Sequence, residues 1–273
     1  MNSTASDMQM LETLRSAHQQ LRKEIGKIII GQEKVLDELL MAIFCRGHAL
    51  LVGVPGLAKT LMVSTLAQAL DLTFKRIQFT PDLMPTDVTG TDILEEDVST
   101  GRRTWTFVPG PLFTNVLLDY LSAEDEVDVV TRNTTRVDLP EINACTTPEQ
   151  IVKFQWLVRQ VPVSQTVARY AVDLVRATRP HDPNASEMVK KYVQYGASVR
   201  ATQFITLAAK ARALIQRRYH VTHEDVASLA LPVMRHRVLT NYFAESDGVD
   251  TDKVLADLVK HLGTGDNRHA RVG

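Results

Sequence analysis

The chain has 273 residues, enough for one large domain or two smaller domains that each bury a core. Its 44% hydrophobic and 23% charged residues are typical of globular proteins and exclude a disordered or fibrous chain. With 31 basic and 32 acidic residues the net charge is -1, so no overall field favours nucleic acid or an anionic membrane. The chain begins without a signal-peptide pattern and has no apolar run of about 18 residues, so we expect a cytoplasmic protein with no membrane insertion.

The first predicted elements are two amphipathic helices. Apolar residues recur at three-to-four spacing from Leu11 to Ile25 and predict an N-terminal helix over residues 1–26 that ends near Gly26. A second helix is expected after Gly31. Its predicted apolar face carries Val35, Leu39 and Ile43. The sequence has two cysteines, Cys45 and Cys145. They are too few and too far apart in the sequence for a disulfide framework, so we expect both to be buried free thiols.

The following segment alternates between strand and helix patterns. His48–Val52 is a short apolar run near glycines, typical of a strand buried on both faces of a parallel sheet. Thr60–Leu70 is apolar nearly all round, as expected for a helix packed under a sheet, and Phe74–Phe79 predicts a second strand. This order is a βαβ unit.

Beyond it, Trp105–Val108 is predicted to be extended and Asn115–Leu118 is the last predicted strand. We place a domain boundary near Asp119, where the pattern becomes helical throughout. The predicted helices are Ala123–Arg132, Pro148–Arg159, Ser164–Ala177, Val199–Arg218 and Thr222–Leu231, with Pro232 breaking or restarting the last. The fold class is therefore α/β, with a parallel-sheet core over 27–118, an all-helical domain over 119–262 and a disordered tail over 263–273.

The strongest motif joins the first strand to the helix after it. GVPGLAKT fits the phosphate-binding P-loop pattern except for alanine where the pattern has its second glycine, and comprises Gly53, Val54, Pro55, Gly56, Leu57, Ala58, Lys59 and Thr60. Backbone N–H groups and the helix N-terminus supply positive potential, Lys59 is expected to meet the β and γ phosphates, and Thr60 to bind Mg²⁺. We expect a negative φ at Ala58. The alternative is a glycine-containing turn with a solvated lysine.

A second candidate is Arg200, four residues before Phe204 on a predicted apolar stripe of the helix 199–218. Ser198 is a good N-cap, so Arg200 falls in the first turn, where the helix dipole disfavours a cation. An inward-facing cation at this position indicates an anion nearby. The alternative is an arginine that reaches solvent or pairs with an acidic neighbour.

Other polar residues have weaker patterns. Asp82 and Asp87 lie in a TPDLMPTD stretch, where turn formation is a better interpretation than metal binding. His220 and His223 have a spacing that could suit a metal, but Thr222 and Asp225 predict a capping box with His223 on the surface. A third set, the residues 235–237 (RHR), is interpreted either as a solvated helix face or as a contact with phosphate or a neighbouring subunit.

Long stretches of the sequence resemble the MoxR family of AAA+ ATPases. They begin with IIIGQEKVLDELLMAIFCRGHALLVGVPGLAKTLMVSTLAQAL and continue with FKRIQFTPDLMPTDVTGTDIL and FVPGPLFTNVLL. Further along, YAVDLVRATR, GASVRATQFITLAAKARALI, VTHEDV and LPVMRHRV resemble the helical lid of that family. The resemblance covers most of residues 27–243.

The resemblance implies specific roles. Lys59 and Thr60 match the Walker A pair, and Arg200 matches the sensor 2 arginine that reaches nucleotide phosphate from the lid. It implies ATP and Mg²⁺ as cofactors and a ring-shaped, hexameric homo-oligomer. It also implies protein clients, commonly with von Willebrand A-domain partners, and chaperone-like remodelling or maturation of protein complexes.

The chain departs from the family after NVLL, which in the family opens the Walker B strand and precedes an Asp–Glu pair. Here Asp119 and Tyr120 follow directly, and then lid-like sequence. The family's Walker B carboxylates, sensor 1 asparagine and arginine finger fall in the absent stretch, which amounts to two or three strand and helix units, about 60 to 100 residues. Tyr120 cannot act as a base at neutral pH, since tyrosine has a pKa of about 10. No catalytic residue is therefore identified.

The leading hypothesis is an ATP-binding AAA+ ATPase of MoxR type whose hydrolysis is impaired. One alternative is a non-catalytic regulatory or interaction subunit of an AAA+ ring, and another is a non-functional deletion product. A small-molecule P-loop kinase is disfavoured because the helical half matches an AAA+ lid.

Overall fold

The structure is a computed structural model that describes residues 2–53, 57–74, 76, 90–96, 103–109 and 140–263. Its helices are α1 (Asn2–Ile25), α2 (Glu33–Phe44), α3 (Lys59–Ala69), α4 (Pro148–Gln160), α5 (Gln165–Arg176), α6 (Glu187–Tyr192), α7 (Val199–Ile215), α8 (His223–Ser228), α9 (Ala230–Met234), α10 (Tyr242–Ser246) and α11 (Thr251–Leu262). Its strands are β1 (Gly90–Glu96), β2 (Arg103–Pro109), β3 (Val193–Tyr195) and β4 (Leu239–Thr240). None of the described helices is long and apolar enough to cross a membrane.

The two N-terminal helices form where the apolar spacing predicts them. α1 ends at Ile25, and the Gly26 amide donates to the Arg22 carbonyl oxygen at 2.9 Å, closing the last turn. A side chain at Gly26 would lie 2.9 Å from that same oxygen, so glycine suits the close approach. α2 buries five apolar side chains, which are Val35, Leu36, Leu39, Leu40 and Phe44.

The segment before the P-loop differs from its prediction. Leu50 and Val52 form isolated bridges, and their side chains are 43% and 46% exposed, although Ala49 is buried. The expectation of a strand buried on both faces is therefore wrong for this segment. A strand of that kind is covered only when sheet neighbours and helices lie against it. The described part of the chain does not supply that cover for Leu50 and Val52.

The strands of the described residues pair antiparallel. β1 and β2 pair from Gly90 opposite Pro109 to Glu96 opposite Arg103, and β3 pairs with β4. β2 contains the extended piece predicted at 105–108, whereas β1 was not predicted. Several predictions fall outside the described residues. They are the strand Phe74–Phe79, apart from Phe74 and Arg76, the strand Asn115–Leu118, the helix Ala123–Arg132 and the boundary near Asp119.

The C-terminal part is helical, as predicted. α4 starts with Pro148 after a capping box at Thr147, and Ser164 caps α5. α7 ends three residues before its predicted end, because Gln216 and Arg217 leave the helical conformation. The last predicted helix divides at Leu229 into α8 and α9, which places Pro232 in the first turn of α9, where its missing N–H is tolerated.

One hydrophobic core runs through every described helix except α10. Its members extend from Leu11 in α1 to Leu262 in α11, and α7 packs against α1, α2, α4 and α5. Polar contacts join the same elements. The Arg15 guanidinium donates to the Leu214 carbonyl oxygen at 3.3 Å, and the Gln155 amide donates to that of Ile43 at 2.9 Å. The N-terminal and C-terminal helices are therefore packed as one body.

Candidate nucleotide-binding site

The predicted P-loop leads into the N-terminus of α3. The helix begins at Lys59, directly after the loop, and buries Met62, Thr65 and Leu66 against the core. The first amides of a helix have no partner within it and carry partial positive charge. An anion held in front of Lys59 would therefore meet the positive end of α3. The loop residues Val54, Pro55 and Gly56 lie outside the described residues.

Ala58 adopts a conformation that the sequence did not predict. Its φ is 52° and its ψ is 22°, which is left-handed, so the expected negative φ is wrong. The P-loop pattern has glycine at this position, and glycine enters the left-handed region without steric cost. For alanine the contact of Cβ with the neighbouring carbonyl costs about 1 kcal/mol. The chain turns sharply here to start α3, and this requirement sets the backbone of Ala58.

The Lys59 side chain folds back towards Gly53. Its ammonium group donates a hydrogen bond to the Gly53 carbonyl oxygen at 2.7 Å, so the two ends of the predicted motif are in contact. This contact holds a cation close to the start of α3. Sequence reasoning predicted the lysine but not this partner. A phosphate group could replace the carbonyl as the acceptor, because a charged acceptor forms the stronger hydrogen bond.

Thr60 occupies the first turn of α3 with its side chain exposed. Its hydroxyl has no hydrogen-bond partner among the described residues, so its oxygen is available to a ligand. Oxygen ligands and an incomplete protein shell suit Mg²⁺, which usually keeps several waters and bridges phosphate oxygens. The residues around α3 thus fit Mg-ATP: Lys59 and the helix N-terminus would hold the phosphates, and Thr60 the metal.

Arg200 lies in the first turn of α7, as predicted, but its side chain does not point into the core. The buried stripe of α7 is Ala201, Ile205 and Ala209, one residue further along than the predicted stripe. Arg200 is exposed and has no ion pair with the described residues. Ser198 takes the N-cap position but makes no side-chain cap hydrogen bond. The inward orientation was therefore wrong, and the arginine is free to reach an anion outside the core.

Apolar residues occupy almost every side of α7, which explains the one-residue error. The helix contacts six other helices, so two neighbouring stripes both satisfy the three-to-four spacing. Phe204 and Ala208 lie on the stripe of Arg200 and, with Leu50 and Val52, line a common cavity. This face of α7 therefore adjoins the segment that leads into the P-loop.

The predicted capping box at the start of α8 is confirmed and belongs to a larger ionic cluster. Asp225 is fully buried and accepts hydrogen bonds from Arg212 at 2.5 Å, from Arg218 at 2.5 and 2.6 Å, and from Thr222. Burial acts to raise the pKa of the Asp225 carboxyl, but these donors outweigh it and lower the pKa to about 2. The cluster fixes the end of α7 to α8.

His223 and Cys45 have structural partners. His223 lies in the first turn of α8, where it is half-buried, with its ring 5.3 Å from that of Tyr170. Cys45 is buried and donates to the Leu207 carbonyl oxygen at 3.2 Å, and burial raises the pKa of its thiol to about 12. Cys145 is only half-buried. Asp82, Asp87, Asp119 and Tyr120 lie outside the described residues.

Comparison with known proteins matches both halves of this arrangement. Residues 48–144 match the model of the ATPase family associated with various cellular activities, abbreviated AAA, and residues 185–258 match the AAA lid domain. The chain is 29% identical to Chaperone MoxR1 of Mycobacterium tuberculosis over 297 residues, covering 85% of this chain and 78% of the relative. It is 36% identical to Protein MoxR of Methylorubrum extorquens over 97 residues, covering 36% of this chain and 28% of that protein.

A solved structure agrees with the fold. A crystal structure of a protein from Cytophaga hutchinsonii, described as an ATPase, superposes with a TM-score of 0.83 at 27% identity. The superposition covers 96% of this chain and 99% of that one. The P-loop, the helical lid and this likeness define an AAA+ ATPase, in which an α/β core precedes helices. The chain belongs to the MoxR family of these ATPases, and the family implies nucleotide binding.

Proposed function

We propose that this chain binds Mg-ATP at the N-terminus of α3 and hydrolyses it slowly or not at all. The observation that carries the first half is the position of Lys59, whose ammonium group lies 2.7 Å from the Gly53 carbonyl oxygen at the start of the motif. Thr60 would bind Mg²⁺ and the loop from Gly53 to Ala58 would surround the phosphates. Arg200 would reach the terminal phosphate from α7, since it is exposed and has no ion pair with the described residues.

The second half rests on a segment that we propose is missing between Leu118 and Asp119. The alignment with Chaperone MoxR1 is longer than the chain itself, at 297 positions against 273 residues. Because 85% of 273 residues is about 232, roughly 65 of those 297 positions of the relative have no counterpart in this chain. A gap of this size supports the loss of the Walker B carboxylates, the sensor 1 asparagine and the arginine finger.

Such a loss affects hydrolysis more than binding. Phosphoryl transfer to water is promoted by a carboxylate that holds the Mg²⁺ shell, by a residue that orients the attacking water and by an arginine that stabilises developing charge. Lys59, Thr60 and Arg200 supply neither the carboxylate that holds the Mg²⁺ shell nor the residue that orients the attacking water. The proposed role is therefore a nucleotide-binding, chaperone-like member of a ring that acts on protein clients, with von Willebrand A-domain proteins as the expected class of partner.

Equilibrium binding of ATP to the purified chain in the presence of Mg²⁺ tests the first half. We expect saturable binding that Lys59→Ala abolishes and Lys153→Ala leaves unchanged, because Lys153 is an exposed lysine on α4. Arg200→Met should weaken ATP at least about fivefold through loss of a charge-assisted hydrogen bond, and AMP much less. Equal affinity of the wild type and Lys59→Ala would refute the proposal.

Phosphate release under saturating ATP tests the second half. We expect a rate no higher than that of Lys59→Ala. Turnover well above this background, lost in Lys59→Ala, would contradict impaired hydrolysis while leaving the binding site intact.

A second candidate function is a non-catalytic subunit that joins a ring of intact relatives. The exposed apolar side chains of Leu50 and Val52 favour it, because a partner could cover them. Co-purification of the tagged chain with a full-length MoxR relative, and its loss in the double variant Leu50→Thr/Val52→Thr, would distinguish this role from a self-contained ATP-binding protein.

A further inference from the structure

A cavity separates α2 and the segment 48–52 from α7 and α9. Its volume is about 120 Å³, and its walls include Leu50 and Val52 on one side and Phe204 and Ala208 on the other. An engineered apolar cavity of about 150 Å³ holds one benzene molecule. The cavity between these elements therefore has the size and the apolar walls for a single ring.

The cavity also has a cation without an acidic partner. Arg237 lines the wall with its guanidinium 5.1 Å from the ring centroid of Phe204, and it donates a hydrogen bond to the Val233 carbonyl oxygen. Among the described residues no carboxylate lies within ion-pair distance of Arg237. Burial lowers the pKa of the guanidinium, which shows that its charge is poorly solvated.

The other ionisable groups around the cavity are largely balanced. Arg235 forms an ion pair with Asp252 at 3.0 Å, and Glu38, whose pKa is raised by burial, is within electrostatic range of Lys34 and Arg235. His48 and His236 lie at the exposed rim, and the pKa of His236 is lowered by burial and by Arg237 and Arg235. Arg237 is thus the cation left for an anionic ligand.

The cavity is separate from the proposed phosphate site. Lys59, Thr60 and Arg200 are assigned to nucleotide binding, and none of the three lines this cavity. Its one cation without an acidic partner among the described residues is the stacked Arg237, and a guanidinium suits a planar carboxylate through two parallel hydrogen bonds. A triphosphate would need more cations than this wall offers.

We propose that this cavity is a binding site for a small aromatic carboxylate, with the ring against Leu50, Val52 and Ala208 and the carboxylate on Arg237. Such a ligand would cover apolar surface of the segment before the P-loop and would connect α9 to α2.

The test is a ¹⁹F NMR titration of the full chain with 4-fluorobenzoate. We expect saturable binding that Arg237→Met weakens about tenfold, the effect of losing one charge-assisted interaction. Ala208→Leu, which fills the cavity, should weaken it at least as much. Arg169→Met is the matched control, because Arg169 is exposed on α5 and pairs with Asp173 at 3.2 Å away from the cavity. 4-Fluorotoluene, which has a methyl group instead of the carboxylate, should bind equally to the wild type and Arg237→Met.

Four outcomes would overturn the proposal: no saturable binding at millimolar 4-fluorobenzoate, unchanged binding in Ala208→Leu, an equal response of both probes to Arg237→Met, or displacement of 4-fluorobenzoate by ATP. The last would make the cavity part of the nucleotide site. Far-UV circular dichroism identifies a variant that fails to fold, and because Ala208→Leu and Arg237→Met alter different elements, either one that folds decides the question.

Discussion

Ala58 shows how one side chain can conflict with the backbone that a motif requires. Its left-handed conformation is the one that glycine adopts freely at the corresponding position of the P-loop pattern. The methyl group adds steric cost, which the packing of α3 against the core must offset. The substitution of glycine for alanine at this position therefore removes strain from the start of the helix.

We expect Ala58→Gly to raise the free energy of unfolding by about 0.5 to 1 kcal/mol, since relief of strain exceeds the added entropy of the unfolded chain. Urea denaturation measures the change. Ala67→Gly is the control, because Ala67 is in the regular part of α3 and its replacement should cost about 1 kcal/mol. Equal losses in both variants would mean that Ala58 is not left-handed in solution.

Asp225, in contrast to Ala58, is well suited to its surroundings. It is a buried charged residue, and both of its carboxylate oxygens accept hydrogen bonds. Its Arg212, Arg218 and Thr222 partners are all donors, so Asp225→Asn removes the negative charge that two guanidinium groups share and replaces one acceptor oxygen with a donor NH₂ group. We expect Asp225→Asn to lower the free energy of unfolding by about 3 to 5 kcal/mol. Glu187→Gln, an exposed carboxylate paired with Lys190, should cost less than about 0.5 kcal/mol in the same urea titration.

The same residue sets a pH dependence. The pKa of Asp225 is about 2 when folded, below its unfolded value of about 3.9, so the folded state favours the carboxylate. Its contribution is present above pH 4 or so and declines as the pH falls towards about 2. The difference in stability between the wild type and Asp225→Asn should therefore shrink across this range. A difference that stays constant from about pH 5 to about pH 2.5 would contradict the assigned pKa.

At the scale of the element, α7 illustrates what periodicity can and cannot predict. Its existence, its start at Val199 and its contact with other helices follow from the apolar spacing. The spacing does not predict which stripe is buried. The neighbouring positions 208 and 209 are both alanine, and alanine is small enough to face either the core or the cavity. The buried face is set by the neighbouring helices, which a local pattern does not include.

Adjacent alanines on α7 give a direct test of the buried face. Ala209→Leu should destabilise the chain by about 1 to 3 kcal/mol, because Ala209 is fully buried and the added atoms overfill the core. Ala208→Leu should be tolerated within about 0.5 kcal/mol, because it projects into the cavity. Chemical denaturation of both variants settles the assignment, and equal destabilisation would reject the observed register.

The segment 48–52 makes a similar point for strands. Its apolar run predicted a strand before the P-loop, whereas the structure has isolated bridges at Leu50 and Val52, and the prediction of burial assumed neighbours that lie elsewhere in the sequence. Burial of a strand is a property of the whole sheet. The proposed missing segment accounts for the exposure of Leu50 and Val52, since in this family it carries further strands of the core.

Across the whole molecule, the sequence predicted two units, a nucleotide-binding core and a lid, whereas the described helices share one hydrophobic core. The pattern could locate the change from alternating elements to helices alone, but not the packing of α7 between α1, α2 and α4. The nucleotide site was predicted in more detail than the fold, because the P-loop is a local motif whose chemistry depends on consecutive residues. The geometry of Ala58 and the orientation of Arg200 depend on the surrounding backbone and were missed.

One shared core predicts one cooperative transition. We expect urea unfolding followed by far-UV circular dichroism and by the fluorescence of Trp105 and Trp156 to give coincident curves. Two separated transitions, or a probe that reports an intermediate plateau, would show that the N-terminal helices and the lid unfold independently. Trp156→Phe, on the exposed face of α4, identifies which tryptophan reports the change.

The hydrogen bond from Cys45 to the Leu207 carbonyl oxygen gives the chain a built-in reporter of its own motions. The thiol lies between α2 and α7 and, with a pKa of about 12, is almost entirely un-ionised at neutral pH. A thiolate-specific alkylating reagent should therefore modify it faster in molecules where these helices have separated than in molecules where they are packed. The rate of that modification, compared with the rate for the half-buried Cys145, therefore measures how often the lid separates from the core.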